Sequence, residues 1–331
     1  MEEEIITKQL RHFVMTKRLN ILIGSGASMP VIPLMSHFKT SSITENEANN
    51  QLSNKVKEVS KKLVEDSFKN SDNESIELVL KRYRDFLSVV IKLLYHANSR
   101  QVTKNINIFS TNYDLFIEKA IDKLMKHESF VFNDGSNGYF NRILDGANYN
   151  KSVAYRGLSD NYLNELPTIS LIKPHGSMNW EKDSEDNILI RQNVVDNPVI
   201  VKPTGLEGQE TYLNNHFHDM LRVFQLELDK PQSILIVIGF SFQDKHIAKM
   251  LNRALRNPEL SVFIFCYCDN DKQTILKNLS LEEESRNLKI ITPNELEEMF
   301  KEKHEEESGE TWSSFDISNL TMLLDNFSFR E

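Results

Sequence analysis

The chain has 331 residues, of which 40% are hydrophobic and 26% charged, and its net charge is −9. This length and composition are typical of a soluble globular protein with a sizeable core, and the acidic balance argues against direct binding of nucleic acid, which needs a positive surface. With 2 cysteines, no apolar leader and no stretch as long as a membrane span, we expect a cytoplasmic protein without disulfides or membrane contact.

The first half of the chain begins with a predicted helix at 4–18 and a short apolar strand at 19–23. A mostly helical block is predicted at 42–100, where apolar residues recur at three-four spacing. A strand at 105–109 and another helix follow. The stretch 127–165 is rich in aromatic residues, Asn and Gly and has no clean period, so we predict an irregular lid or insertion there.

The second half repeats short apolar strands separated by helical stretches. Strands are predicted at 168–172, 197–201, 234–238, 262–266 and 288–291, and helices at 209–229, 244–256 and 271–278. Strands that are apolar on both sides and alternate with helices indicate a parallel sheet covered on both faces. We therefore predict an α/β fold, a Rossmann-like parallel sheet with helices on both faces plus a helical insertion.

One large domain is predicted over residues 1–300, with the block at 42–100 as the helical insertion and 127–165 as the lid. The remaining residues, 301–331, form a C-terminal tail whose first part is acidic. Its later part carries apolar residues, which either pack on the tail's own domain or contact another subunit or a partner.

Several predicted strands end in residues that suit a nucleotide. The motifs are Gly24-Ser-Gly-Ala-Ser28, Thr111-Asn-Tyr-Asp114, Pro174-His-Gly176 and Gly239-Phe-Ser241. Because the carboxyl ends of parallel strands meet at one edge of a sheet, we expect one ligand site along that edge.

The first two motifs have a structural interpretation beside the functional one. Glycines after the first strand permit close approach of backbone to phosphate at the next helix N-terminus. Met29 fills the third glycine position of a dinucleotide fingerprint, however, so the motif could be only a turn. Asn112 can bind ribose or water or simply form a turn, and Asp114 is a natural helix N-cap.

A further strand end, Lys202-Pro-Thr204, could face phosphate or solvent.

The other motifs are equally open. His175 could act as a general base, orient a hydroxyl or be a hydrogen-bonded structural histidine. Gly239 allows close approach to a ligand, and Ser241 could bond a phosphate or a ribose. Nearby, Asp244 is interpreted as a helix N-cap and His246 as a structural residue.

In this order the motifs resemble those of the sirtuin superfamily. The run Gly239-Phe-Ser-Phe-Gln-Asp-Lys-His-Ile247 resembles a bacterial subgroup of sirtuin-like NAD hydrolases in anti-phage defence. Two departures stand out: Thr111 occupies the position where sirtuins have Gln, and the paired zinc-binding CxxC motifs are missing. Without that zinc module, a protein deacylase is the weaker interpretation.

The resemblance implies that NAD is a substrate rather than a cofactor, and no metal is expected in the site. Asn112 would position water or ribose beside the anomeric carbon, His175 would engage the ribose hydroxyls and act as a base, and Asp114 would bind the nicotinamide amide. The other residues implied in NAD binding are Gly24, Ser25, Gly26, Ser28 and Thr111, and Gly239 and Ser241 at the adenosine end.

The resemblance implies an NAD glycohydrolase of abortive-infection defence, with a non-catalytic NAD or ADP-ribose sensor and an assembly subunit as alternatives. Because a constitutive NAD hydrolase would kill its own cell, we expect gating by homo-oligomerisation or by a partner. The helical block and the lid are candidate gates, and the tail is a candidate docking element. The resemblance implies a HerA-type ATPase as one partner, and a phage protein is another. The sequence does not distinguish NAD from NADP.

Overall fold

The computed structural model describes residues 2–39, 43–68, 73–96, 103–155, 164–201, 215–305 and 311–327. Its strands are β1 (Arg18–Ile23), β2 (Asn105–Ser110), β3 (Val131–Asn133), β4 (Ser136–Asn137), β5 (Ile143–Leu144), β6 (Ala154–Tyr155), β7 (Asn164–Glu165), β8 (Thr168–Ile172), β9 (Trp180–Lys182), β10 (Ile188–Ile190), β11 (Ser233–Ile238), β12 (Ser261–Phe265), β13 (Leu288–Ile291), β14 (Glu302–Glu305) and β15 (Thr311–Ser314). Its helices are α1 (Glu2–Thr16), α2 (Met35–Phe38), α3 (Glu45–Glu65), α4 (Glu74–His96), α5 (Phe116–Leu124), α6 (Asn215–Asp229), α7 (Lys245–Ala254), α8 (Asp271–Asn278) and α9 (Ile317–Asp325).

Some predicted features lie outside the described residues, among them the strand end at Lys202-Pro-Thr204 and parts of the helical block, the lid and the tail. Within the described ranges, no helix has both the length and the apolar character needed to cross a membrane.

Seven parallel strands form the central sheet, in the order β13-β12-β11-β1-β2-β8-β3. Helices flank this sheet, which confirms the predicted α/β fold class. The sequence does not predict β3, because its three residues lie in the stretch without a clean period and are too few to show one. The predicted strand at 197–201 is wrong: within it only Ile200 pairs, through an isolated bridge to Gly176.

Each face of the sheet buries its own apolar core. On β11, Ile234, Ile236 and Ile238 pack into the core that holds α1, α3, α4, α5 and α9. Leu235 and Val237 pack into the core that holds α6, α7 and α8. Because successive strand residues point to opposite faces, a strand that is buried on both sides is apolar at every position.

The order of the strands creates a crevice between β1 and β11. From β1 the chain continues to β2 on one side, whereas β11 joins β1 on the other side, so the strand order reverses between these two neighbours. Open α/β sheets bind ligands outside the carboxyl ends of the strands at such a reversal. The turns that follow β1 and β11 therefore stand where a ligand is expected.

The C-terminal segment packs against the helical block. Helix α9 contacts α4, and Leu320 and Leu324 of α9 are fully buried in the core that α4 also enters. Asp316, the N-cap residue of α9, forms an ion pair with Arg82 of α4 at 3.1 Å. These apolar residues of the tail therefore have contacts within the chain itself.

Replacing Leu320 with Ala should lower the free energy of unfolding by about 2–5 kcal/mol, because the change leaves a cavity in a closed core. Met322 lies on the same helix but is 51% exposed. Met322→Ala is therefore the matched control, and it should cost less than about 1 kcal/mol. Urea denaturation followed by circular dichroism measures both values, and equal effects would show that α9 does not pack as described.

Candidate active site

Two glycine turns, one after β1 and one after β11, contact each other through their backbones. Gly26 N donates to Gly239 O at 3.0 Å, and Gly239 has a φ of 66°, in the left-handed region that favours glycine. A Cβ on Gly239 would lie 2.6 Å from the Ala27 nitrogen, and a Cβ on Gly24 would clash with the Gly239 oxygen. These glycines therefore allow two segments of the chain to approach each other closely. The helix expected after the first turn is a short 3-10 helix, Ser25–Ser28.

Asn112 is anchored by the nitrogen of its side-chain amide. Nδ2 donates to Gly24 O at 3.1 Å and to Ser28 Oγ at 3.3 Å. Since a carbonyl can only accept, the contact with Gly24 establishes which amide atom is the nitrogen. Oδ1 of Asn112 is buried and has no hydrogen-bond partner among the described residues. A buried oxygen of this kind favours a water or a ligand hydroxyl as its donor.

Asp114 lies in a buried network beside Asn112. Its Oδ2 accepts from Ser28 Oγ at 2.8 Å, and its Oδ1 accepts from Phe116 N, the first amide of α5, at 3.2 Å. The N-cap residue of α5 is Leu115, one position after the predicted Asp114. The ammonium of Lys173 donates to the Asp114 backbone oxygen at 2.6 Å and to Glu118 Oε1 at 2.8 Å. Burial raises the pKa of Asp114, and the charge of Lys173 offsets part of this effect. Both carboxylate oxygens of Asp114 therefore already have donors within the protein.

Tyr83 reaches the same network from helix α4. Its hydroxyl lies 2.9 Å from Ser28 Oγ and accepts from Asn112 Nδ2 at 3.4 Å, while its ring stacks on Phe116 with centroids 5.5 Å apart. Because Ser28 gives its proton to Asp114, Tyr83 is the donor toward Ser28. Burial raises the pKa of Tyr83 well above its usual value, so the hydroxyl keeps this proton. The sequence pattern places Tyr83 only on the apolar face of a helix, and spacing alone does not reveal its polar role.

His175 follows β8 and is almost completely buried, with 4% of its surface exposed. Its Nε2 lies 3.1 Å from His246 Nε2 and 3.1 Å from Asp244 Oδ2. The next residue, Gly176, has a φ of 84°, and a Cβ there would clash with the carbonyl oxygen of Val199. The sharp turn expected around this histidine therefore requires glycine.

Asp244 is the N-cap residue of α7, as predicted, and lies beside His246. The side chain of Asp244 makes no capping hydrogen bond, however. His246 belongs to the first turn of that helix, and its Nδ1 lies 2.7 Å from Asp244 Oδ1. Together with His175 these side chains could hold a metal ion, since their ligand atoms lie within 4.8 Å of one another. Asp244 and His246 are two positions apart in the sequence, but His175 is remote from both. No short motif therefore reveals this three-residue cluster.

A cavity of about 1360 Å³ connects these groups, larger than the roughly 300–1,000 Å³ of most small-ligand sites. The predicted site residues that line it are Ser25, Gly26, Ser28, Thr111, Asn112, Asp114, His175, Gly239 and Ser241. Gly24 is not part of this lining and acts through its carbonyl on Asn112. The helical block also lines the cavity, through Glu45, Leu52, Val56 and Arg82. None of the described residues of the lid does so.

A parallel α/β sheet with a large crevice at its strand-order reversal has the layout of nucleotide-binding proteins. Residues 106–291, just over half of the chain, match the family model of the SIR2-like domain. The chain therefore belongs to the SIR2-like family, which confirms the sirtuin-like character of its motifs. SIR2-like domains are often NAD-using enzymes. No curated protein sequence matches the chain.

Substituting Gly239 by Ala should lower the free energy of unfolding by about 2 kcal/mol or more, since a positive φ and a backbone clash act together. Gly146 is the matched control. A Cβ there would have its nearest neighbour at 3.5 Å, an ordinary contact. Gly146→Ala should change stability by less than about 1 kcal/mol. Chemical denaturation of both variants measures the difference, and a neutral Gly239→Ala would contradict the turn-to-turn packing.

Proposed function

We propose that this protein is an NAD glycohydrolase, which cleaves NAD to nicotinamide and ADP-ribose. The observation that carries the proposal is the anchored amide of Asn112, whose buried Oδ1 has no hydrogen-bond partner among the described residues. Asn112 and His175 line one cavity, in a chain of a family that often uses NAD. An oriented acceptor and an imidazole are the groups that hydrolysis of an N-glycosidic bond needs.

Cleavage of the bond between nicotinamide and ribose develops positive charge on the ribose and releases a neutral leaving group. No strong acid is required, and the main demand is to hold the ribose and the attacking water in position. Asn112 meets this demand because Gly24 O and Ser28 Oγ prevent its amide from turning. Its Oδ1 accepts from the water or a ribose hydroxyl, and His175 takes the proton that the water releases.

In this proposal the diphosphate of NAD binds at the turn after β1, where two of the backbone amides already have acceptors within the chain. Gly26 N and Ala27 N already donate to Gly239 O and Gly24 O. Ser25 and Thr111 also line the cavity, and their hydroxyls would supply donors that these two amides cannot.

A role in anti-phage defence with gated activity belongs to the same proposal. An NAD hydrolase that is always active would exhaust the NAD of its own cell. Glu45 of α3 and Arg82 of α4 line the cavity, which supports the helical block as the gate. Homo-oligomerisation, a HerA-type ATPase and a phage protein are the candidate triggers.

The purified protein should release nicotinamide from NAD, alone or with a candidate trigger, and Asn112→Ala and His175→Ala should each lower the rate by about 10²-fold or more. Chromatography measures nicotinamide, and titration calorimetry measures NAD binding. His127 is an exposed histidine outside the cavity, so His127→Ala is the control and should keep full activity.

Binding of NAD without nicotinamide release, in the presence of each candidate trigger, would contradict the hydrolase and identify a sensor instead. Release at the same rate by wild type and both site variants would place the chemistry elsewhere in the molecule.

Tyr83→Phe should lower the rate of nicotinamide release about three- to tenfold, the value of one hydrogen bond, because Ser28 and Asn112 lose a partner while the ring keeps its stacking. Tyr139 is 87% exposed, and Tyr139→Phe is the control. Steady-state kinetics at saturating NAD measures the effect. An unchanged rate in Tyr83→Phe would show that this hydroxyl does not help to hold Asn112.

A further inference from the structure

One side of the His175 imidazole contacts two polar side chains at the start of α7, those of Asp244 and His246. Asp244 places one carboxylate oxygen 3.1 Å from His175 Nε2 and the other 2.7 Å from His246 Nδ1. The two imidazoles meet at their Nε2 atoms, 3.1 Å apart. The carboxylate therefore bridges both rings, and each ring contacts the other.

The carboxylate of Asp244 is committed to these rings. It makes no capping bond to the backbone of α7, although it stands at the N-cap position. Burial would raise the pKa of Asp244, but the contacts with His246 and His175 outweigh it and lower that pKa. Asp244 is therefore an anion facing the two histidines. Its Oδ1 lies 2.7 Å from His246 Nδ1 but has no hydrogen bond among the described residues, so this is an ion-dipole contact.

These contacts favour one arrangement of the protons on the two rings. A nitrogen lone pair 2.7 Å from a carboxylate oxygen would repel it, so Nδ1 of His246 carries a proton. In the neutral ring its Nε2 then holds a lone pair. His175 Nε2 lies 3.1 Å from His246 Nε2 and 3.1 Å from Asp244 Oδ2, and a lone pair on it would be repelled by both. These contacts favour a proton on Nε2 of His175.

We infer that Asp244 and His246 form a relay that holds the proton of His175 on Nε2 and leaves Nδ1 as the basic nitrogen. Both are positioning residues, which act through His175. The use of that base in catalysis rests on the proposed NAD hydrolysis, whereas the position of the proton does not. When Nδ1 takes a proton, the anion of Asp244 stabilises the imidazolium that forms, as a carboxylate does in catalytic triads.

A metal ion on the same three side chains is the competing account. It would need a lone pair on the Nε2 atom or Nδ1 atom of each ring, aimed at one point. Protons on His175 Nε2 and His246 Nδ1 account for the three contacts among these side chains without a metal ion, and we therefore favour the relay.

The test is a long-range proton-nitrogen correlation spectrum of the full chain labelled with ¹⁵N-histidine, which distinguishes the two tautomers of each ring. His175→Gln and His246→Gln assign the signals. We expect His175 as the Nε2–H tautomer and His246 as the Nδ1–H tautomer in the wild type. Asp244→Asn should shift both populations, because the amide can donate where the carboxylate only accepts. The exposed ring of His127 should stay unchanged in every variant.

The kinetic arm uses nicotinamide release. His246→Gln should lower kcat about 10²-fold with KM changed less than about threefold, since substrate contacts are kept while the base loses its orientation. His127→Gln, with the same chemical change at an exposed position, should have no effect on either constant.

A His175 protonated on Nδ1 in the wild type would overturn the relay, and so would unchanged tautomers in Asp244→Asn. One equivalent of bound metal by elemental analysis, with both ring signals altered on chelation, would replace the relay by a metal site. Expected tautomers without any nicotinamide release would support the relay and count against the proposed hydrolase, so the two failures are distinguishable.

Discussion

The backbone contact between the turns after β1 and β11 is the constraint on which the site depends. Gly26 and Gly239 can meet only because neither has a side chain. The carbonyl of Gly24 then lies where it orients Asn112, and Ser28 at the other end of the turn joins Asp114. A shift of either turn would therefore displace the amide that the proposed chemistry requires. The reversal of strand order explains why these two turns are neighbours at all.

A buried ammonium ties the remaining parts of the site together. Lys173 lies two residues before His175, and its Nζ bonds the backbone of Asp114 and the carboxylate of Glu118 on α5. Burial raises the pKa of Glu118, and Lys173 counteracts that effect. Such groups are tolerated in an interior only when they are paired, so the network holds a defined geometry at some cost in desolvation. The segment that carries His175 is thereby fastened to the helix that follows Asn112.

The helical block is continuous with the main core as well as with the site. Helices α3 and α4 enter the same apolar core as the central strands. Two adjacent residues of α4 contact different parts of the protein. Arg82 forms the ion pair with Asp316 before α9, and the hydroxyl of Tyr83 accepts a hydrogen bond from Asn112. Helix α4 therefore physically connects the C-terminal segment to the candidate active site.

The sequence by itself determined the features that depend on neighbouring residues. Apolar runs alternating with helical periods predicted the parallel α/β sheet, and a glycine or polar residue at the end of a strand marked the turns of Gly24, Asn112, His175 and Gly239, because such signals lie within a few positions of one another. Only the tertiary structure decided which side chains meet across long separations. Tyr83 looks like any core residue of a helix, and Asp244 looks like any N-cap, until folding brings one to Asn112 and the other to His175. The sequence did not predict the short strand β3, because three residues contain too little pattern to show a period. Only its pairing with β8 defines this strand.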